Sequence, residues 1–172
     1  MKNRSKTVAL LGISAALALI LAYVEILLQP LVPTIPGIKM GLPNIVIIFL
    51  LYRRGECCAA IVSFLRIILV GMLFGNALAM IYSMAGAVLS LLTMMFLRRL
   101  NLFSVVGASV AGSVAHNVGQ ILMAIFLIGV AELGYYLIVL ALTGCLFGAF
   151  IGALGALLVR RVPRLPFERD LP

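Results

Sequence analysis

Long apolar segments, separated by short clusters of basic residues, are the feature that most constrains this sequence. Hydrophobic residues make up 65% of the chain and charged residues only 10%, and the mean hydropathy is +1.27. Soluble domains are roughly 45–50% apolar, and a core of this size cannot hide the excess from water. The sequence therefore predicts an all-α membrane protein with a single membrane domain.

Charges and Pro/Gly clusters divide the chain into a bundle of six predicted transmembrane helices. A helix needs roughly 20 apolar residues to cross the hydrocarbon core of a bilayer, and every segment except the second approaches that length. The predicted helices cover residues 7–28, 38–52, 56–74, 77–97, 104–129 and 133–159, and a basic cytoplasmic tail follows over residues 160–172.

The basic residues fall almost entirely on one side of this bundle. Of the 13 Lys and Arg residues, only Lys39 lies on the opposite side and only Arg66 lies inside a helix. Because cytoplasmic loops are enriched in Lys and Arg, this bias predicts a multi-pass plasma-membrane protein with both termini in the cytoplasm. The net charge of +8 then reflects topology. Membrane lipid is an expected partner, and no nucleic-acid-binding face is predicted.

The connection between the first two helices is rich in residues that interrupt helices. It contains Pro30, Pro33, Pro36, Gly37, Gly41 and Pro43. We expect an irregular loop that dips into the membrane, where such backbone is tolerated only when it is buried in protein or lines a wet cavity. This segment is a candidate lid or cavity wall; the alternative is a plain external loop followed by a short tilted helix.

Polar residues inside the predicted helices are the candidate site, because they are costly in a membrane and usually functional. A rise of about 1.5 Å per residue places Arg66 roughly 15 Å, His116 roughly 18 Å and Glu25 roughly 27 Å from the cytoplasmic end. These residues are predicted to face one pocket in the outer half of the bundle. The full candidate set is Arg66, His116, Asn117, Gln120, Asn44, Asn76 and Glu25.

The chemistry of this set favours recognition of a small molecule. A guanidinium offers a fork of donors, an imidazole donates or accepts, and amides complement both. A ligand with an anionic or carbonyl-rich head would fit Arg66, with methionines and aliphatic residues around its apolar part. In the alternative, Arg66 pairs with Glu25, His116 is structural, and the amides only link helices.

Small residues at four-residue spacing allow close helix contacts in lipid. On the first helix Gly12, Ser14, Ala16 and Ala18 are predicted to dock a partner helix. On the last helix a stripe over residues 144–152 serves either packing inside the bundle or contact with another subunit.

Catalytic, metal-binding and cofactor-binding residues are not predicted. The chain has a single His, no pair of carboxylates inside the helices and no P-loop, whereas diphosphate chemistry through Mg²⁺ normally uses carboxylate ligands. The adjacent Cys57 and Cys58, and Cys145, match no usual metal-ligand spacing and are expected to be packing residues.

Several short stretches carry a family resemblance, over about residues 6–161. They are residues 39–45 (KMGLPNI), 63–66 (SFLR), 74–76 (FGN), 83–87 (SMAGA), 107–109 (GAS) and 115–120 (AHNVGQ). Together they resemble the Gx family of bacterial membrane proteins, also labelled heptaprenyl diphosphate synthase component I. That family is similar to the substrate-binding S components of energy-coupling factor transporters.

The resemblance implies a six-helix S component that captures a scarce micronutrient from outside the cell. It also implies docking on a transmembrane coupling protein that works with two cytoplasmic ATPases, through a small-residue motif on the first helix. The competing interpretation is a noncatalytic membrane component associated with heptaprenyl diphosphate or prenyl-quinone synthesis.

Overall fold

The computed structural model describes residues 2–28 and 40–162, and these residues form six α-helices without any β-strand. A short 3-10 helix, Ala131–Tyr135, precedes the last of them. The predictions for the Pro/Gly residues 30–37, for Lys39 and for the tail after residue 162 lie outside the described residues. The helices are α1 Lys2–Leu28, α2 Asn44–Arg54, α3 Glu56–Phe74, α4 Ala77–Leu100, α5 Val105–Ile128 and α6 Tyr136–Arg161.

Five helices in the described residues are long and apolar enough to cross a membrane. They correspond to the predicted helices 1, 3, 4, 5 and 6, and the predicted bounds of the third coincide with α3. Their outward surfaces are apolar, as with Met72 and Phe126, whose side chains are 77% and 81% exposed. An apolar exterior of this kind is what a lipid environment requires. The predicted all-α, multi-pass membrane fold is confirmed.

The second helix is shorter than predicted, because α2 begins at Asn44 and not at residue 38. Gly41 has a φ of 78° and Pro43 precedes the first helical residue, so the backbone turns here before the helix starts. With 11 residues, α2 rises about 16 Å, roughly half of a hydrocarbon core. It is a half-length helix inside the bundle.

The short α2 lies in the centre of the protein core. Its residues Ile47, Ile48, Leu50 and Leu51 are almost fully buried, and the helix packs against α1, α3 and α6. The chain then turns sharply into α3 through Gly55, whose φ of 95° is a conformation that residues with a Cβ rarely adopt. The turn at Gly55 ends α2 and places it beside α3.

Close packing of glycines joins α4, α5 and α6. A Cβ added at Gly86 of α4 would lie 2.7 Å from the carbonyl oxygen of His116 on α5, and one at Gly152 of α6 would lie 2.9 Å from the Cα of Val106. In addition, the Ser109 hydroxyl donates a hydrogen bond of 2.8 Å to the Gly148 carbonyl. The stripe of glycines on α6 therefore packs inside the bundle, which decides between the two alternatives left open for it.

Arginines gather at one end of the bundle, which we call the basic end. Here Arg99, at the end of α4, makes a two-pronged ion pair with Glu56, at the start of α3, at 2.9 and 2.6 Å. The guanidinium of Arg98 lies 5.7 Å from the ring centre of Tyr52 on α2. These contacts bring together the ends of α2 and α4 and the start of α3.

The glycine packing yields a prediction about stability. We expect Gly152→Ala to lower the thermal unfolding midpoint of the purified protein, because the added methyl group meets backbone and overpacking typically costs about 1–3 kcal/mol. Gly12→Ala is the matched control, since nothing lies within 4 Å of a Cβ added there and Ala favours a helix over Gly by roughly 0.5–1 kcal/mol. Equal midpoints for both variants would contradict the close packing.

Candidate ligand-binding site

A cavity of about 260 Å³ lies at the end of the bundle away from the basic end. Four helices, α1, α3, α4 and α5, and the residue before α2 form its walls. Most of the lining is apolar, and three of the polar residues come from the predicted set. The described lining residues are Ala22, Glu25, Ile26, Pro43, Arg66, Ile67, Val70, Gly71, Phe74, Gly75, Ala79, Met80, Ser83 and His116.

A smaller, more polar lobe of about 40 Å³ adjoins this cavity. The two lobes share Glu25, Arg66 and His116, which therefore stand at the junction between them. The remaining residues come from the start of α2, from α5 and from α6. They are Met40, Gly41, Asn44, Ser113, Asn117, Gly144 and Phe147.

Arg66 is the only basic residue that lines either lobe among the described residues. It lies ten residues beyond the start of α3, about 15 Å from the basic end. Its Nε is buried and has no hydrogen-bond partner in the described part of the chain. Because leaving a buried donor without an acceptor costs about 1–3 kcal/mol, this guanidinium is well suited to receive an acceptor from a molecule in the cavity.

Glu25 approaches Arg66 from the end of α1. The two charges are close enough to attract each other. The hydrogen bond of Glu25 Oε1, however, comes from the backbone N–H of Gly41, at 2.8 Å. Glu25 thus ties the end of α1 to the turn before α2, and it also contributes a negative charge beside Arg66.

Two further candidates, Asn117 and Asn44, line the smaller lobe. Asn117 also donates a hydrogen bond of 2.6 Å to the carbonyl of Leu140 on α6. The interhelical role considered for Asn117 is therefore present, and the residue also lines the smaller lobe. Asn44 is the first residue of α2 and brings an amide to the same lobe.

Gln120 and Asn76 line neither lobe among the described residues. The side chain of Gln120 packs against Gly86 of α4. Asn76 caps α4, where its Oδ1 accepts a hydrogen bond of 2.8 Å from the N–H of Ala79. Their places in the structure are those of a helix contact and a helix cap.

Several apolar lining residues were absent from the predicted set. On α3 they are Val70, Gly71 and Phe74, and on α4 they are Ala79 and Met80. Residues four and eight apart share a helix face, so the spacing from Arg66 already indicated Val70 and Phe74, whereas Gly71, five residues on, does not follow from it. Nothing in the local sequence marks the α4 residues, because their part depends on how α4 packs against α3.

The four small residues predicted to dock a partner lie on different faces of α1. Ser14 and Ala18 are buried inside the bundle, with 7% and 0% exposure. Gly12 and Ala16 are exposed on the outer surface. Only the second pair is accessible to another protein in this structure.

Comparison with known proteins gives a family assignment. The family model described as heptaprenyl diphosphate synthase component I matches residues 14–158, which include α2 to α5, most of α1 and α6, and the described lining residues of both lobes of the cavity. No curated protein and no solved structure gave a match.

The position of Asn76 leads to a second stability prediction. We expect Asn76→Ala to lower the thermal unfolding midpoint, because loss of an N-cap side chain costs about 1 kcal/mol, whereas Asn76→Asp keeps the acceptor and the midpoint. Loss of ligand binding in Asn76→Ala at an unchanged midpoint would instead assign this residue to the site.

Proposed function

The chain belongs to the heptaprenyl diphosphate synthase component I family, and we propose that this member is the membrane-embedded substrate-binding subunit of an energy-coupling factor importer. In this proposal it captures a small vitamin-like or precursor molecule from outside a bacterial cell. The observation that carries the proposal is a mainly apolar cavity with one buried guanidinium inside a membrane bundle. Small-molecule sites are typically apolar hollows with a few convergent polar groups.

The position of the cavity supports capture from outside. The cavity lies away from the basic end, and basic ends of membrane proteins normally face the cytoplasm. Arg66, Glu25 and His116 then stand in the outer half of the bundle, where a ligand arrives without crossing the membrane. Gly41 and Asn44 border the smaller lobe, so the turn before α2 is part of the proposed entrance.

A coupling protein is the second element of the proposal. The exposed pair Gly12 and Ala16 lies on the lipid-facing side of α1, near the exposed Ile13 and Leu17. Small residues let a second helix approach closely in lipid. We place the transmembrane coupling protein here, with ATP hydrolysis carried out by two cytoplasmic ATPases that it recruits.

The family description favours one alternative, a noncatalytic membrane component of prenyl diphosphate synthesis. The family name refers to a synthase, but diphosphate chemistry through Mg²⁺ uses clustered carboxylates. Among the described residues the acidic ones, Glu25, Glu56 and Glu132, belong to three different parts of the fold. We therefore propose a binding function and no catalysis for this chain itself.

Topology gives the first test. In a chain whose cysteines are replaced by serine, we expect a membrane-impermeant maleimide to label Glu132→Cys on intact cells, because the 3-10 helix before α6 lies away from the basic end. Leu102→Cys, in the turn after α4 and 78% exposed, should react only after the cells are permeabilised. The opposite pattern would turn the cavity towards the cytoplasm and contradict uptake.

Ligand and partner identification gives the decisive test. We expect the protein purified from its native membrane to carry a small molecule, detected by mass spectrometry, that is lost in Arg66→Ala without a loss of folding. A coupling protein and ATPases should co-purify and should be lost in Ala16→Leu, with Ile13→Leu as the control on the same surface. Co-purification of a prenyl synthase without any small molecule would favour the alternative.

A further inference from the structure

The charges and dimensions of the cavity define a ligand class, if the cavity binds a ligand as proposed above. We infer that this ligand is a compact amphiphile whose polar end carries both a carboxylate and an N–H donor, attached to one ring or to a short branched chain. The inference depends on the size of the larger lobe, on the position of the polar residues and on the sign of their charges.

The larger lobe is small for a ligand site. Its volume is about 260 Å³, whereas a cavity of about 150 Å³ already holds benzene and small-molecule sites in general span roughly 300–1,000 Å³. One ring with its substituents matches such a space. A fused three-ring system with a side chain, or a heptaprenyl chain, would extend beyond it.

The polar groups lie at one end of this space. Arg66, Glu25 and His116 stand where the two lobes meet, and the smaller lobe continues with the amides of Asn44 and Asn117. Beyond the junction the larger lobe is lined mainly by apolar side chains. A molecule with its polar head at the junction and its ring in the larger lobe matches this division.

The head has to satisfy two opposite charges. Arg66 presents a buried Nε without a hydrogen-bond partner, and the Nε side of a guanidinium binds a carboxylate through two parallel hydrogen bonds. Glu25 lies close enough to Arg66 to attract it, so it would repel a simple carboxylate bound in the same place. A head that also offers a cationic or N–H donor to Glu25 removes this repulsion and leaves no buried charge uncompensated.

Three probes of similar size test the two head groups one at a time and together. L-Phenylalanine carries both head groups, 3-phenylpropanoate carries only the acid and 2-phenylethylamine carries only the amine. We expect L-phenylalanine at millimolar concentration to raise the thermal unfolding midpoint of the full-length protein most. In Glu25→Gln the affinity for 3-phenylpropanoate should rise about tenfold relative to the affinity for L-phenylalanine. In Arg66→Gln the affinities for both carboxylate probes should fall about tenfold or more, as expected for loss of a charged hydrogen bond.

A control variant and two larger probes, riboflavin and farnesyl diphosphate, complete the test of the ligand class. Glu132→Gln removes an exposed carboxylate that lines neither lobe, and this variant should bind the three probes in the same order of affinity as the wild type. The inference is overturned if the acid alone binds the wild type best, if none of the three probes stabilises it, or if riboflavin or farnesyl diphosphate binds more tightly. If one of these larger probes binds and Arg66→Gln abolishes its binding, the ligand class is refuted but the proposed binding function is preserved. The binding function itself fails only if the purified protein carries and binds no small molecule.

Discussion

The need of one buried guanidinium for an acceptor is the interaction on which the site depends. Arg66 lies about half a membrane thickness from the basic end of α3, and its Nε has no hydrogen-bond partner in the described residues. Glu25 offsets its charge through space but directs a hydrogen-bonding oxygen to Gly41. The protein therefore holds two opposite charges beside the cavity, and the Nε of Arg66 is left open to an acceptor from a bound molecule.

The half-length α2 makes room for this arrangement. A helix continuing beyond Asn44 towards the far end would occupy the region where Arg66, Glu25 and Gly41 now meet. Gly41 and Pro43 end the regular backbone at that height, and the buried residues of α2 anchor what remains in the core. Irregular backbone at membrane depth is thus placed beside the smaller, more polar lobe and within protein, where the N–H of Gly41 finds a partner in Glu25.

Much of this arrangement was predictable, and what was missed has a geometric cause. Hydropathy gave the five long helices, and helix rise alone placed Arg66, His116 and Glu25 at compatible depths. Depth does not specify, however, which side chains helix packing leaves open to the cavity. His116 and Gln120, one turn apart on α5, both lie against Gly86 of α4, yet of the two only His116 lines the cavity in the described residues.

The small residues of α1 show the same limit. Ser14 and Ala18 lie two residues from Gly12 and Ala16, which is about 200° around the helix. Buried and exposed pairs therefore alternate along one sequence pattern. Only packing against the other helices distinguishes them, and it equally determines which residues of α4 reach the cavity.

From the glycine contacts of α4, α5 and α6 we expect this half of the bundle to be stiffer than the half formed by α1 and α3. Backbones that touch directly cannot shift without clashes, whereas α1 and α3 meet through larger side chains such as Tyr23 and Phe74, whose ring centres are 5.3 Å apart. The cavity lies between these two parts of the bundle, with α1 and α3 on one side and α4 and α5 on the other. A ligand too large for the cavity would then displace the wall formed by α1 and α3. Because that wall carries both Glu25 and Arg66, we expect the two charges to move while His116 stays in place.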